Sequence, residues 1–189
     1  MEKSDFLKIA ITGIDFCPGE AKRIQEILTK GEADYVHIRK PYATAKETEQ
    51  LIKEIGFDLH KKLKLHDHFE LLNKYDLGGV HLNSRNPIPH QKAKSISKSF
   101  HSLIEIEKAE RYDYFFISPI FDSISKEGYK AAFDLKDISK FIQGKKAIAL
   151  GGVTPDKIPL LKNLGFSGAA MLGYFFPPTN GNNNIKNII

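Results

Sequence analysis

The sequence predicts an α/β protein, a compact (β/α)8 TIM barrel with a reduced eighth unit. Eight short runs of apolar and β-branched residues recur along the 189 residues and alternate with stretches of helical spacing. Glycines gather after the last two runs, as Gly151–Gly152 and Gly173. The turn after the first run is not a GxGxxG, which an open dinucleotide-binding sheet would carry. We therefore expect a closed barrel that binds ligands at the C-terminal ends of its strands.

The first half of the chain is predicted to hold four strands and three helices. Pro18 and Gly19 precede a helix that places its apolar residues on one face, and a later run of helical spacing covers Thr44–Ile55. A short third helix begins at Phe69 and ends near Tyr75. The four strands are expected at Lys8–Thr12, Asp34–Arg39, Leu63–His66 and Gly79–Leu82.

The second half repeats the alternation with weaker signals. A brief helix is expected after Pro89, before the fifth strand, and a further helix carries Leu103, Ile106 and Ala109 on its inner face. Thr154 is expected to cap a helix with Pro155 in its first position. Leu135, Ile138 and Ile142 mark the helix before the seventh strand. The remaining strands are expected at Ile96–Phe100, Tyr112–Ile117, Ala147–Leu150 and Gly168–Leu172.

Composition predicts one cytoplasmic domain over residues 1–176, followed by a frayed tail over residues 177–189 that is rich in Pro, Asn and Gly. The net charge of +5 comes from scattered lysines, which favours small anionic ligands over nucleic acid. Cys17 is the only cysteine, so no disulfide framework is expected. No run approaches the length of a membrane span, and the first residues lack a signal-peptide pattern.

Polar residues follow the predicted strands, and the strand ends of a barrel share one mouth. The cations among them, which could neutralise a diphosphate, are Arg39, Lys40, Arg85 and Lys126. The hydroxyls that could donate to its oxygens are Ser99, Ser123 and Ser125. Asp67 follows the third strand and is a hard oxygen ligand for Mg2+; its alternative role is to cap the helix that starts at His68. The histidines lie on separate elements without an HExxH pair, so hydrogen-bonded core positions are favoured over a metal site.

These motifs resemble the thiamine phosphate synthase and TenI-like family from the first strand to Gly173. The matching segments are Tyr35–Lys40, Gly79–Leu82, Ser99–Ser102, Ser118–Lys126, Ala149–Val153 and Gly165–Ala169. The resemblance implies a transferase of thiamine biosynthesis. It would join a hydroxymethylpyrimidine diphosphate to a thiazole phosphate and release pyrophosphate, with Mg2+ as cofactor and a homodimer as the possible assembly.

The resemblance also assigns roles to residues. Those expected to act on the diphosphate are Arg39, Ser99 and Lys126, with Lys40, Ser123 and Ser125 beside them. Backbone amides of Gly152, Leu172 and Gly173 are expected to bind the thiazole phosphate, and His37, Ile38, His66 and His81 to line the substrate pocket. Asp67 is the expected first magnesium ligand, and the carbonyl oxygen of Asn86 the second.

Some positions depart from the family pattern and leave alternatives open. His66 stands where the family has Asn, and Asn83–Asn86 replaces a stretch that holds the second magnesium carboxylate, so that Arg85 supplies positive charge there. Pro119 stands where a TenI-type thiazole tautomerase has a His. One alternative is a noncatalytic or regulatory TenI-like barrel that binds thiazole phosphate or thiamine phosphate. Another is a phosphosugar isomerase with Asp67 or His66 as its base.

Overall fold

A computed structural model of the protein describes residues 6–107, 109–122 and 133–177. Eight parallel strands pair in sequence order, and β8 pairs with β1 to close the barrel. The predicted fold class is therefore confirmed. The strands are β1 Leu7–Ile11, β2 Tyr35–Ile38, β3 Leu63–Leu65, β4 Gly79–Leu82, β5 Ile96–Phe100, β6 Tyr114–Ile117, β7 Ala147–Ala149 and β8 Gly168–Met171.

The helical layer is uneven around the barrel. The α-helices are α1 Glu20–Thr29, α2 Ala45–Glu54, α3 Leu103–Ile106, α4 Leu135–Phe141 and α5 Ile158–Asn163. Short 3-10 helices at Phe57–Lys62, Phe69–Asn73, Ala109–Arg111 and Pro155–Lys157 fill other connections. The best-defined start is that of α2, where Thr44 and Glu47 form a reciprocal capping box.

The brief helix predicted before β5 is wrong, because residues 83–95 form turns and bends. Beyond Pro89 a single turn forms, in which the Ala93 N–H donates to the His90 carbonyl at 2.9 Å and the Lys92 N–H donates to the His90 ring at 3.2 Å. Asn83 and Asn86 instead exchange backbone hydrogen bonds at 3.2 Å in both directions. This turn brings Asn86 and its neighbours back over the end of β3.

Other predicted bounds and caps also differ from the structure. The helix after β5 splits into α3 and the Ala109–Arg111 turn, and β6 begins at Tyr114, because the Asp113 carboxylate accepts from the backbone N–H of Ile96 at 2.7 Å. Thr154 occupies the predicted N-cap position with Pro155 as the first helical residue, but its side chain makes no capping hydrogen bond. Asp67 does not cap a helix either, since His68, in the left-handed region with φ 57°, precedes the Phe69–Asn73 turn.

The barrel interior has two chemically different halves. An apolar half is built by inward residues of β1, β6, β7 and β8, which form one buried cluster: Ile9, Ile11, Tyr114, Phe116, Ile148 and Ala170. A polar half is built by buried residues of β2 to β5: His37, Lys64, His66, His81 and Ser97. Alternate strand residues such as Val36 and Leu65 point outward into the larger core under the helices.

None of the helices within the described ranges is both long and apolar enough to cross a membrane. Residues 178–189, which make up nearly all of the predicted tail, lie outside those ranges.

Candidate functional site

Three charged side chains meet at the C-terminal ends of β2, β3 and β4. The Arg85 guanidinium donates to one carboxylate oxygen of Asp67, Oδ1, from Nε at 3.1 Å and from Nη2 at 2.9 Å. Arg39 is close enough to both for its charge to interact with theirs. The other Asp67 oxygen, Oδ2, is buried and has no hydrogen-bond partner within the described part of the chain. The mouth therefore holds two guanidinium groups for one carboxylate.

The turn after β4 fixes this arrangement. The Asn83 side-chain oxygen accepts from the backbone N–H groups of Arg85 and Asn86, at 2.9 and 3.0 Å. The Asn86 amide nitrogen donates to Asp67 Oδ1 at 3.0 Å and to the His66 carbonyl at 3.2 Å. Both of these partners are acceptors, so the Asn86 amide presents its NH2 group to Asp67. The predicted pairing of Asp67 with an Asn86 carbonyl oxygen on one Mg2+ is not what the geometry offers.

The backbone of Arg39 is fixed by a hydrogen bond, whereas its side chain keeps an unused donor. Its N–H donates to the Thr12 hydroxyl at 2.9 Å, which ties the end of β2 to β1. The guanidinium nitrogen Nη1 is buried and has no hydrogen-bond partner among the residues described. Burial, with the nearby charge of Arg85, lowers the pKa of Arg39, and Asp67 opposes that shift. A buried donor of this kind is satisfied by an anionic ligand.

Lys40 does not reach this mouth. Its ammonium donates to the Gly13 and Asp15 carbonyls, at 3.0 and 2.7 Å, and to the Glu20 carboxylate at 2.7 Å. These contacts use all three of its N–H donors. The lysine side chain is 1% exposed and that of Glu20 is 3% exposed. Lys40 therefore anchors the segment between β1 and α1, and its predicted contact with a diphosphate is not supported by its position.

Three histidines of the polar half form a packed group below Arg39 and Asp67. The rings of His66 and His81 stack at 4.3 Å with 20° between their planes, and His37 meets both rings edge-on. His37 Nδ1 lies 2.9 Å from His66 Nε2, and His37 Nε2 lies 2.7 Å from the Tyr114 hydroxyl. Both nitrogens of His81 are also paired, with the hydroxyls of Ser97 and Ser99 at 2.9 Å each.

Burial keeps these histidines neutral. It lowers the pKa of His37 and of His66 well below 6.5, and the charges of neighbouring basic groups lower both further. The pKa of His81 falls to about 3, mainly through burial and next through Arg39. At pH 7 the group therefore adds hydrogen-bonding capacity to the pocket but no positive charge.

Two metal sites can be tested against this geometry. One nitrogen from each of the three histidines lies within 4.8 Å of the others. However, the lone pairs of the stacked His66 and His81 rings lie in nearly parallel planes and do not converge on one ion, and His37 and His81 have both nitrogens in hydrogen bonds. At the mouth, Asp67 Oδ1 is held by Arg85 and Asn86, and the Asn86 amide turns its NH2 group rather than its oxygen toward Asp67. A paired set of protein ligands for Mg2+ does not fit these residues.

The loops after β7 and β8 hold the predicted phosphate-binding amides. Gly152 has φ +61°, and a Cβ there would lie 2.3 Å from the Asp122 carbonyl oxygen, so the close approach of the two loops requires glycine. Open space surrounds Gly173, where a Cβ would meet no atom within 4 Å. Leu172 packs on the apolar half of the interior.

The remaining predicted residues have three different outcomes. Ile38 is 1% exposed and its side chain lies in the outer core, so its side chain does not line the mouth. The Ser99 hydroxyl is part of the site because it pairs with His81 Nε2 at 2.9 Å. Ser123, Ser125 and Lys126 lie outside the described residues.

Sequence reasoning missed three residues that position the site. Thr12 binds the backbone of Arg39, Tyr114 binds His37, and Ser97 binds His81. Strand alternation was the available signal: each of the three is a polar residue at an inward position or at the end of a barrel strand. Their partners come from distant strands, and pairing across a barrel interior cannot be read from one strand at a time.

Comparisons with known proteins give a consistent result. The family model described as thiamine monophosphate synthase matches residues 9–174. A thiamine-phosphate synthase of Fusobacterium nucleatum is 24% identical over 205 residues, covering 100% of this chain and 98% of the relative.

Two solved structures extend the comparison. A thiamine phosphate pyrophosphorylase from Bacteroides thetaiotaomicron superposes with a TM-score of 0.75 and 35% identity, covering 89% of this chain and 83% of the other. A thiamine phosphate pyrophosphorylase from Pyrococcus furiosus, 21% identical with a TM-score of 0.72 over 90% of this chain and 87% of the other, shares the fold. Because the family model spans nearly the whole barrel, the chain belongs to the thiamine monophosphate synthase family.

Proposed function

We propose that this protein is a thiamine-phosphate synthase. It joins hydroxymethylpyrimidine diphosphate to a thiazole phosphate and releases pyrophosphate. The observation that carries the proposal is the buried, unpartnered Nη1 of Arg39 beside Asp67 and Arg85, at the mouth of a barrel of this family. Two guanidinium groups around a single carboxylate leave a net positive charge, which suits a diphosphate.

In the proposed reaction, the bond between the pyrimidine methylene carbon and the diphosphate oxygen breaks first. The electron pair of that bond leaves with pyrophosphate, and the pyrimidine methylene becomes cationic. The thiazole nitrogen then uses its lone pair to form the new C–N bond, which gives the thiazolium of thiamine phosphate. Arg39 stabilises the negative charge that grows on the leaving oxygen. The family resemblance adds a contact from Ser99, whose hydroxyl also pairs with His81 Nε2 at 2.9 Å.

Neutral histidines below the mouth are compatible with a cationic intermediate. Protonated rings at His66 and His81 would repel the developing pyrimidine cation, whereas burial keeps both rings uncharged. The family resemblance adds Lys126, Ser123 and Ser125 to the diphosphate contacts, and the amides of Gly152, Leu172 and Gly173 to the thiazole phosphate. The open space beside Gly173 supports the second assignment.

For magnesium, we propose a weak requirement. The Asn86 amide turns its NH2 group toward Asp67, and Asp67 Oδ2 is the oxygen of that carboxylate without a partner among the described residues. No step of the reaction above depends on an ion bound there. The resemblance further suggests a homodimer, which light scattering of the purified protein would test.

The experiment is a product assay with both substrates, with thiamine phosphate detected by chromatography. Wild-type protein is expected to form product. Arg39→Gln should lower the rate by about a hundredfold or more, because a buried charge-assisted contact to the leaving group is lost. Arg23→Gln, at a partly exposed α1 arginine paired with Glu32, is the matched control and should keep wild-type activity. Binding of thiamine phosphate without turnover would overturn the proposal in favour of a noncatalytic barrel.

A further inference from the structure

The Asp67 carboxylate is already bound to a cation that belongs to the chain. Its Oδ1 accepts two hydrogen bonds from the Arg85 guanidinium and a third from Asn86. The Asp67 side chain is 10% exposed, whereas that of Arg85 is 42% exposed. The carboxylate is thus buried behind the guanidinium, and Arg85 stands between Asp67 and solvent at the mouth.

The charges of the mouth argue against adding a divalent ion. Arg39 and Arg85 interact unfavourably with each other, which contributes to the lowered pKa of Arg39. Asp67 is the carboxylate that offsets both. An ion of charge +2 placed on Asp67 Oδ2 would therefore be the third cationic group around one carboxylate, whereas a diphosphate would relieve the repulsion between the two arginines.

We propose that Arg85 takes the place of a divalent cation, so that a diphosphate group binds at this mouth without Mg2+. The identity of that ligand rests on the proposed function; the metal independence rests on the contacts of Asp67. A guanidinium suits the role because it is always charged and has five N–H donors. Two of its nitrogens, Nε and Nη2, hold Asp67, and among the described residues no partner is recorded for Nη1.

The test measures binding of inorganic pyrophosphate by calorimetry, once in EDTA and once with free Mg2+ in excess. Wild-type protein should bind in both conditions, with dissociation constants that differ by less than about threefold. Since no turnover is needed, the readout is independent of catalysis.

Variants at position 85 give the contrast. Arg85→Gln should weaken binding in EDTA by about ten- to hundredfold, the usual effect of losing a charge-assisted hydrogen bond. Mg2+ should then restore much of the affinity, because Asp67 is released to hold it. Arg85→Lys keeps the charge without the planar fork and should fall between the two. The matched control is Arg111→Gln, which removes the same charge at the opposite end of the barrel. Arg111 lines a surface cavity formed by the residues that precede β6 and β7. This variant should bind pyrophosphate like wild type.

The outcomes separate this inference from the proposed function. Binding of pyrophosphate by wild-type protein only when Mg2+ is present would overturn the role of Arg85 and leave the synthase proposal standing. Metal-independent binding in a protein that forms no thiamine phosphate would support the role of Arg85 and overturn the synthase proposal. Absence of binding in both conditions would overturn the inference, while the product assay decides the synthase proposal separately. An Arg85→Gln protein with wild-type affinity in EDTA would also reject the inference.

Discussion

The two halves of the barrel interior are both filled by buried side chains, but one half is apolar and the other is polar. The apolar half closes on Ile9, Phe116 and Ile148, which need only shape complementarity. The polar half places His37 and His81 at equivalent depth, and these need a hydrogen-bond partner for every buried nitrogen. The polar half is also the one whose strands end in Arg39 and Asp67. The comparison teaches that the proposed diphosphate-binding side of the mouth, around Arg39 and Asp67, is supported from beneath by a hydrogen-bond network. The proposed phosphate-binding loops of Gly152 and Gly173 instead follow strands whose inward residues are apolar.

The largest expected effect comes from removing the residue where the two halves meet. Phe116 belongs to the apolar cluster and stacks on His81 at 4.6 Å between ring centroids. Phe116→Ala should lower the free energy of unfolding by about 3–5 kcal/mol, through lost burial and a residual cavity. Urea denaturation measures the change. Phe57→Ala, at a side chain that is 79% exposed, is the control, and an equal loss in both variants would contradict the account.

Acid should lower the free energy of unfolding through the buried histidines of the polar half. Unfolded histidines take up protons near pH 6.5, whereas His81 in the folded protein does so only near pH 3. The folded pKa is the lower one, so stability is complete above pH 6.5 and is lost as the pH falls from there toward 3. Each such histidine contributes a slope of about 1.4 kcal/mol per pH unit in this window.

Urea unfolding at a series of pH values tests this prediction. His81→Asn should show a shallower decline than wild type between pH 6.5 and 4, because one of the titrating groups is removed. Identical slopes in the two proteins would show that His81 does not contribute to the acid sensitivity.

A smaller loss of stability is expected from removing the hydrogen bond that joins the apolar half to the polar half of the barrel interior. The Tyr114 hydroxyl pairs with His37 Nε2 at 2.7 Å, so Tyr114→Phe leaves a buried nitrogen without that partner. The free energy of unfolding should fall by about 2 kcal/mol. Tyr112→Phe, on the same chain segment at a partly buried position, should change it by much less. Equal stability of Tyr114→Phe and wild type would mean that the network tolerates an unpaired ring nitrogen.

The smallest effect is expected at Thr12, the contact between β1 and the mouth. Thr12→Val keeps the shape but loses the acceptor for the Arg39 N–H, which should cost about 1 kcal/mol of stability. The loosened end of β2 should also weaken pyrophosphate binding by about threefold. Calorimetry measures the second effect, and unchanged binding would show that Arg39 is positioned without Thr12.

Features set by neighbouring residues along the chain could be predicted from the sequence, whereas features set by contacts between distant segments could not. Short apolar and β-branched runs between turns placed β4 and β5 with their observed bounds, although only β4 is buried along its whole length and the alternation of β5 is weak. The identity of Arg39 and Asp67 as mouth residues followed from their position after strands. Lys40 was assigned to the same mouth because it is the next residue along the chain. Both residues lie beyond the end of β2, and the Lys40 side chain reaches Glu20 instead.

Other parts depended on contacts that no single segment encodes. The orientation of the Asn86 amide is set by two acceptors, the Asp67 carboxylate and the His66 carbonyl. The packing of His66 on His81 depends on the register between β3 and β4, which a list of strand ends does not include. Residue type indicated which groups were polar, and tertiary structure decided which of them remained available.

The buried pair of Lys40 and Glu20 has a consequence for how a ligand enters. By holding the Gly13 and Asp15 carbonyls, Lys40 fastens the segment between β1 and α1 to the end of β2 before any ligand arrives. A loop that must become ordered during binding reduces affinity through lost conformational entropy. On this side of the barrel the loss has already occurred during folding, so association with a ligand can proceed there with little rearrangement of the backbone.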